Sequence, residues 1–241
     1  MHATELPRPF HRPGWVYEEK YDGWRMVAEK VDSQVSFTSR NGLDHARRFP
    51  ELAKAVADLD APSIVLDGEV AIFDRQLISR FEWLWARPKH EVTTPPMYMV
   101  FDLLELDGED LRVRPLRERR EALEKLVAES QLIIPVRRLP SNGLEAWDEV
   151  LRCNYEGMVA KDPDSACTPG RTLSWLKVKQ GGYRQEARGF DHGEREPPPG
   201  RLGEGDALDY PPLRRARAPA AAVARRRSVL TSCSRRCTMR A

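Results

Sequence analysis

A lysine set among carboxylates and followed by a glycine turn is the part of this sequence best suited to chemistry. Lys20 lies within residues 18–25, whose sequence is EEKYDGWR. The alternating residues before Lys20 predict a strand, and Asp22-Gly23 predicts a turn. An amine attacks only when it is unprotonated, so we expect burial, or a second cation such as Arg25, to lower the pKa of Lys20. Taken by itself, the segment also fits a strand that ends in a solvated charged hairpin.

Two further groups of charged residues could take part in chemistry on a phosphate. Asp67 and Glu69 interrupt an otherwise apolar run, where carboxylates cost several kcal/mol unless water or a partner satisfies them. Lys177 and Lys179 lie two residues apart in a predicted strand, so their side chains point to the same face. The alternative for the lysines is a solvated basic edge strand, and the alternative for a glutamate beside a strand is a turn cap. Any chemistry therefore depends on whether the fold brings these groups to Lys20.

Short strands and helices are the elements that would position these groups. The first three predicted strands, which we expect to form an antiparallel meander, lie at residues 15–20, 25–31 and 35–39. Further strands are predicted at residues 63–73, 97–106, 132–136, 157–161 and 173–179. Apolar residues at helical spacing predict helices at residues 49–59, 115–130 and 144–153, with a helical turn at 81–85.

The composition indicates a globular protein with a distinct C-terminal segment. The chain of 241 residues is 41% hydrophobic and 32% charged, and no apolar run approaches the roughly 20 residues that cross a bilayer. The first residues lack the features of a signal peptide, so we expect a cytoplasmic protein. Residues 184–241 contain 13 arginines and 7 acidic residues, and their lack of periodicity predicts disorder. The remaining residues are net acidic, so contact with DNA would require a local basic patch.

Six short segments in one order resemble the successive motifs of the covalent nucleotidyltransferases. In one-letter code they are KYDGWR at 20–25, SRNG at 39–42, DGE at 67–69, FD at 101–102, EGMVAK at 156–161 and WLKVK at 175–179. The closest resemblance is to ATP-dependent DNA ligases of the compact bacterial kind, and it covers about residues 16–179. It implies an α+β fold in which antiparallel β-sheets are flanked by helices and an ATP cleft lies between the sheets.

The resemblance also implies a reaction and its residues. Lys20 would attack the α-phosphorus of ATP, keep AMP as a phosphoramidate and pass it to the 5′-phosphate of nicked DNA, whose 3′-hydroxyl then seals the strand. The residues that would hold the nucleotide are Glu18, Arg25, Arg40, Glu69, Phe101, Lys177 and Lys179. The carboxylates that would hold Mg²⁺ are Glu69 and Glu156.

Each implied role has a physical reason. Arg25 and Arg40 present planar forks of donors that suit phosphate or ribose oxygens. Phe101 would stack on the adenine, although an aromatic at the end of an apolar run also fits ordinary core packing. Glu18 would accept a hydrogen bond from the exocyclic amino group. The resemblance further implies nicked double-stranded DNA as substrate, end-joining or repair proteins as partners, a monomer, no membrane, and a cytoplasmic location at the nucleoid.

The chain departs from this family at its C-terminus. Full ligases of this type resemble a nucleotidyltransferase domain followed by a small oligonucleotide-binding barrel, which requires several evenly spaced strands. We predict an adenylation domain at residues 1–185 and an arginine-, proline- and alanine-rich disordered tail at 186–241, with no such barrel. We therefore expect the first adenylylation step to be slow. The alternatives are an RNA ligase or capping guanylyltransferase, which shares the lysine chemistry, and an inactive nucleotide- or DNA-binding remnant.

Overall fold

The protein is described by a computed structural model covering residues 1–85, 91, 93–181 and 183. In this part of the chain the α-helices are α1 (Pro50–Ala57), α2 (Leu116–Leu126) and α3 (Gly143–Cys153), and Phe81–Leu84 forms a short 3-10 helix. The strands are β1 (His2–Glu5), β2 (Val16–Lys20), β3 (Trp24–Val31), β4 (Gln34–Ser39), β5 (Ser63–Ala71), β6 (Met97–Leu106), β7 (Glu109–Asp110), β8 (Ile133–Pro135), β9 (Gly157–Lys161) and β10 (Arg171–Lys179).

These strands form two separate sheets. The first sheet has four strands in the order β1-β10-β9-β2, and the second has the order β4-β3-β5-β6-β7, with β8 paired to β6. Most pairings are antiparallel, while β1 runs parallel to β10 and β8 runs parallel to β6. The α+β class with helices beside the sheets is therefore confirmed, with mixed sheets in place of the purely antiparallel ones expected from the sequence.

The predicted three-stranded meander is wrong. β3 pairs with β4 in the second sheet, whereas β2 pairs with β9 in the first. Residues 21–23 thus carry the chain from one sheet to the other, and Gly23 permits this because a Cβ there would lie 2.5 Å from the carbonyl oxygen of Val70. The alternating pattern marks a strand but does not name its partner, since pairing depends on residues far away in the sequence. The crossing places Lys20 at the junction of the two sheets.

The helices follow from local sequence signals and pack on the sheets through their apolar faces. Pro50 occupies the first turn of α1, where its missing N–H costs nothing. The side chain of Asn142 caps α3 by accepting a hydrogen bond from the N–H of Leu144, and Asn154 ends the helix in the left-handed conformation at φ 55°. In α2, Arg119 and Arg120 are buried beside the apolar residues, which the amphipathic pattern did not anticipate.

The terminal regions differ in what was expected of them. β1 was not predicted, although it forms the edge of the first sheet beside β10. Residues 186–241 lie outside the described part of the chain, so the predicted disordered tail and the two-domain division stay predictions. Among the described helices, none has the length and apolar character needed to span a bilayer.

Candidate active site

Lys20 ends β2 inside a cleft to which both sheets contribute. The cleft is lined by Ala3, Glu18, Glu19, Lys20, Tyr21, Arg25, Glu69, Phe101, Val136, Val159, Lys161 and Trp175. The Nζ of Lys20 donates a hydrogen bond to Oε2 of Glu156 at 2.6 Å. Glu156 immediately precedes β9, and Lys20 is paired in register with Gly157, where a Cβ would lie 2.1 Å from the carbonyl oxygen of Val178. Close strand packing therefore holds Glu156 beside the amine.

The electrostatic environment of Lys20 differs from the expectation that its pKa would be lowered. Burial favours the neutral amine, but the carboxylates of Glu156, Glu69 and Asp22 outweigh burial and raise the pKa of Lys20 above its ordinary value. Arg25, the cation expected to depress it, is engaged elsewhere. In this arrangement Lys20 is an ammonium ion, so its attack as an amine would require a change in the charge around it.

The carboxylates near Lys20 repel one another. Burial, followed by the charge of Glu156, raises the pKa of Asp22 to about 7. Burial and the same neighbour raise the pKa of Glu69 to about 7, although Lys20 and Arg25 oppose that rise. Such a group of oxygen ligands suits a hard cation such as Mg²⁺, which needs only one or two carboxylates in addition to phosphate oxygens and water. Among the described residues no cluster of three or more side chains has the geometry of a complete metal site.

Arg25 is held by a carboxylate that lies on the neighbouring strand. Its Nε and Nη2 donate to the two oxygens of Asp67 at 3.0 and 2.6 Å, and Nη2 also donates to the carbonyl oxygen of Met1 at 2.8 Å. The guanidinium lies 5.3 Å from the centre of the Phe101 ring. Asp67 is the charge that interrupts the apolar run of β5. Its burial is compensated because both of its oxygens accept hydrogen bonds from Arg25. Arg25 is thereby oriented toward the cleft.

Glu18 lines the same cleft, two residues before Lys20 on β2, and has two buried cationic partners. Lys161 Nζ lies 2.5 Å from Oε2 of Glu18, and Arg120 Nη1 lies 3.2 Å from Oε1. Phe101, which borders the same space, contacts Trp175 edge to face with ring centres 5.9 Å apart. The candidate base-holding residues Glu18 and Phe101 are thus neighbours, on opposite sheets.

The remaining predicted residues lie around the cleft rather than within it. Lys179 Nζ is 3.5 Å from Oε1 of Glu156, so it belongs to the charged group of Lys20. Lys177 pairs with Glu5 of β1 at 3.3 Å. Arg40 is exposed in the turn after β4 and is not among the described residues that line the cleft. Direct participation of Arg40 would require a ligand that extends beyond this space.

Three residues of the site, Lys161, Trp175 and Arg120, were not singled out from the sequence. Lys161 and Trp175 could have been found, since both lie within recognised motifs. Lys161 lies two residues after Val159, and Trp175 lies two residues before Lys177, so each shares a strand face with that residue. Asp67 was noticed as a charge in an apolar run, but its pairing with Arg25 was not predicted. Arg120 had no signal, because an arginine in an amphipathic helix is ordinarily exposed.

Known proteins resemble this chain over the same residues. Residues 2–179 match the family model described as the ATP dependent DNA ligase domain. The chain is 34% identical over 188 residues to the multifunctional non-homologous end joining protein LigD of Mycolicibacterium smegmatis, covering 74% of this chain and 24% of that protein. It is 30% identical over 181 residues to the SPbeta prophage-derived DNA ligase-like protein LigB of Bacillus subtilis, covering 74% of this chain and 66% of that protein.

Solved structures share the fold. The ligase domain from M. tuberculosis LigD aligns with a TM-score of 0.60 at 31% identity, covering 73% of this chain and 60% of that chain. A mycobacterial DNA ligase D solved in complex with ATP and MES gives the same TM-score of 0.60 and identity of 31%. The chain spans about a quarter of the length of the LigD protein of M. smegmatis, of which the match covers 24%.

Proposed function

Because the chain belongs to the ATP-dependent DNA ligase domain family, we propose that it forms a lysyl-AMP intermediate on Lys20 and transfers AMP to nicked DNA. The observation that carries this proposal is the placement of Lys20 within 2.6 Å of Glu156 in a cleft that Glu69 also lines. An amine, a proton acceptor and cation-binding carboxylates at one place are what nucleotidyl transfer to a lysine requires.

In the first step, a bond forms between Lys20 Nζ and the α-phosphorus of ATP, and the bond to the pyrophosphate oxygen breaks. The attacking amine must first lose a proton, for which Glu156 is the hydrogen-bonded acceptor. Magnesium held by Glu69 and Glu156 would supply positive charge that neutralises these carboxylates and the phosphates. Such neutralisation would remove the charges that raise the pKa of Lys20, and the neutral amine would become accessible.

Several cations around the cleft would bind the phosphates and ribose. Arg25 is oriented by Asp67 and offers its fork at the edge of the cleft. Lys179 lies beside Glu156 and Lys177 lies on the same face of β10, so both would contact the phosphates. Arg40, exposed near the rim, would contact the DNA or an outer phosphate. These groups mainly supply position and positive charge, which dominate catalysis of phosphoryl transfer.

The adenine base would be held by the part of the cleft that Glu18 and Phe101 line. Phe101 would stack on the adenine and Glu18 would accept a hydrogen bond from its exocyclic amino group. Both residues line the cleft that contains Lys20. This arrangement favours ATP over GTP, since a carboxylate is an acceptor and guanine presents a carbonyl oxygen where adenine presents the amino group.

In the later steps the lysyl-AMP would pass its AMP to the 5′-phosphate of a nick, and the 3′-hydroxyl would displace AMP to seal the strand. We propose nicked double-stranded DNA as the substrate, in DNA repair or recombination, with other end-joining or repair proteins as partners and a monomeric protein at the nucleoid.

Labelling with α-³²P-ATP and Mg²⁺, followed by denaturing electrophoresis, tests the proposal. We expect an acid-labile adduct that is absent from Lys20→Ala and retained by Lys125→Ala, a matched control in which an exposed lysine of α2 is removed. An adduct formed from GTP alone would instead support a capping guanylyltransferase.

Pre-adenylylated nicks provide a second readout that does not depend on the first step. We expect the protein to seal such nicks in DNA faster than in RNA, whereas preferential sealing of RNA would support an RNA ligase. A protein that forms no adduct at high ATP concentration and seals no pre-adenylylated nick would be an inactive remnant, and the proposal would be wrong.

A further inference from the structure

Glu18 is braced by cations from two different elements. One carboxylate oxygen, Oε2, meets Lys161 of β9 at 2.5 Å, while Oε1 meets Arg120 of α2 at 3.2 Å. The exposed fractions are 4% for the side chains of Glu18 and Arg120 and 2% for that of Lys161. Burying a carboxylate in this way is costly unless it is paired and hydrogen bonded, so the two cations compensate the burial of the Glu18 carboxylate.

Arg120 is itself fixed at each branch of its guanidinium. Its Nε donates to Oε1 of Glu124 at 2.9 Å, and its Nη2 donates to the carbonyl oxygen of Val136. Its remaining branch, Nη1, donates to Glu18. An arginine anchored at three acceptors presents its fork in a single orientation, which a flexible surface arginine does not do. The helix α2 therefore fixes one side of the Glu18 carboxylate.

Lys161 links Glu18 to the aromatic side of the cleft. Its Nζ lies 4.1 Å from the ring centre of Trp175 and 4.7 Å from that of Phe101. It also lies 3.5 Å from the carbonyl oxygen of Phe101. An ammonium over aromatic rings is attracted by their negative faces, and the attraction is stronger where water is excluded. One buried cation thus sets the spacing between Glu18 and Phe101, the two residues proposed to hold the base.

We propose that Arg120 and Lys161 are positioning residues that select the nucleobase by holding Glu18 as an oriented, acceptor-only carboxylate. This inference rests on the proposed function, in which Glu18 receives the exocyclic amino group of adenine. A carboxylate has about four acceptor positions, so each oxygen retains capacity after it has bound one cation. Its charged form rejects the carbonyl oxygen of guanine, because two acceptors then face each other.

Removal of Arg120 or Lys161 should change the preference for adenine over guanine as well as the affinity for ATP. A buried Glu18 that has lost Arg120 retains only Lys161, so one carboxylate oxygen is no longer fixed and the group is free to rotate. A rotated carboxylate no longer presents its acceptor oxygens in one orientation to the amino group of adenine. A hydrogen bond to a charged group contributes about tenfold to a hundredfold in affinity, which is the amount that the amino group of ATP should lose.

Equilibrium binding of three nucleotides measures that loss. The Kd values of ATP, of purine riboside triphosphate, which lacks the amino group, and of GTP are determined by calorimetry for the wild type, Arg120→Gln, Arg120→Lys and Lys161→Met. The matched control is Arg117→Gln, because Arg117 lies on the same helix with its side chain 56% exposed. Thermal melting identifies the variants that are folded, and Arg120→Lys keeps the charge if Arg120→Gln does not fold.

We expect wild type and Arg117→Gln to bind ATP about tenfold or more tightly than the nucleotide without the amino group. In Arg120→Gln and Lys161→Met this ratio should approach one, and the preference for ATP over GTP should fall by a similar factor. Arg120→Lys should retain part of the ratio. A merely structural role would weaken all three nucleotides equally, and an unchanged ratio in the folded variants would overturn the inference.

Binding separates this inference from the proposed function. Intact-protein mass spectrometry after incubation with ATP and Mg²⁺ reports whether AMP becomes attached, whereas calorimetry reports base selection without any reaction. A wild type that binds ATP selectively but forms no adduct contradicts the proposed catalysis and leaves the brace supported. A wild type that forms the adduct but shows no dependence on the amino group contradicts the brace alone.

Discussion

Two glutamates of the same cleft have opposite electrostatic surroundings. Glu18 has a cation on each carboxylate oxygen, at 2.5 and 3.2 Å. Glu69 is partly buried near another carboxylate, Glu156, and its pKa is raised to about 7 even though Lys20 and Arg25 lie near it. The protein thus neutralises the charge of Glu18 with its own side chains and leaves the charge around Glu69 only partly balanced. The charge of Glu18 is therefore balanced within the protein, whereas the surroundings of Glu69 are suited to bind an added cation.

This difference corresponds to the different demands of binding and of reaction. A base that stays bound throughout is best held by groups that are already oriented, which lowers the cost of binding. Around the attacked phosphorus, charge changes during the reaction, and useful interactions are those that strengthen in the transition state. In the proposed reaction, the acidic groups around Lys20 would keep it protonated until a cation and a polyphosphate bind. The contrast indicates that the proposed nucleophile would be controlled by its surroundings rather than permanently activated.

Glu156→Gln should have the largest effect on this comparison. We expect adduct formation at saturating ATP and Mg²⁺ to fall about 100-fold, because the proton acceptor and a metal-binding oxygen are lost together. Without Mg²⁺ the pKa of Lys20 should fall, because its hydrogen-bonded carboxylate has been removed. The pH dependence of amine labelling at Lys20, read by peptide mass spectrometry, measures that pKa. Exposed Glu51→Gln is the control, and an unchanged or raised pKa would show that Glu156 does not govern Lys20.

Glu69→Gln should differ from Glu18→Gln in its effect on the metal dependence of adduct formation. We expect the Mg²⁺ concentration at half-maximal adduct formation to rise about tenfold, since one of the proposed carboxylate ligands is lost. Glu18→Gln should weaken ATP binding but leave that midpoint unchanged, because its charge is balanced within the protein. Titration of Mg²⁺ at saturating ATP compares the two variants, and melting curves establish that both are folded. Equal shifts in the two midpoints would remove the distinction between Glu69 and Glu18.

Glu19→Gln should affect stability rather than reaction. Burial raises the pKa of Glu19 from its ordinary 4.5 to about 8, although Arg137 opposes the rise. The folded protein therefore binds this proton more tightly than the unfolded chain, so the resulting stability is complete below about pH 4.5 and is lost as the pH rises through about 8. We expect the loss between pH 5 and pH 9 to be smaller in Glu19→Gln, by on the order of 2 kcal/mol.

Urea unfolding at the two pH values measures this difference. Exposed Glu118→Gln should retain the slope of the wild type. Identical slopes for wild type and Glu19→Gln would mean that Glu19 ionises in the fold as readily as in the unfolded chain. Such a result would contradict the effect of burial on Glu19, and would indicate that Arg137, whose Nε lies 3.6 Å from Oε2 of Glu19, compensates that burial.

The sequence predicted most of the individual elements and the members of the cleft. The helix of residues 115–130 appears as α2, and the apolar run of 97–106 is β6 as predicted. Glu18, Lys20, Arg25, Glu69 and Phe101, named for their motif resemblance, all line one cleft. These successes rest on local information: alternation defines a strand face, helical spacing defines a helix face, and motif residues are fixed in order along the chain.

The tertiary structure decided which strands pair and which charges meet. β2 joins β9 rather than β3, and this pairing brings Lys20 to Glu156 across 136 positions of sequence. Arg120 turns inward to Glu18 although its helix pattern marks it as a surface residue. The pKa of Lys20 is raised, contrary to expectation, because the charges of carboxylates from several segments of the chain act on it together. Residue types determine which chemistry is available, but Coulomb interactions depend on distances in space, and only the folded chain sets those distances.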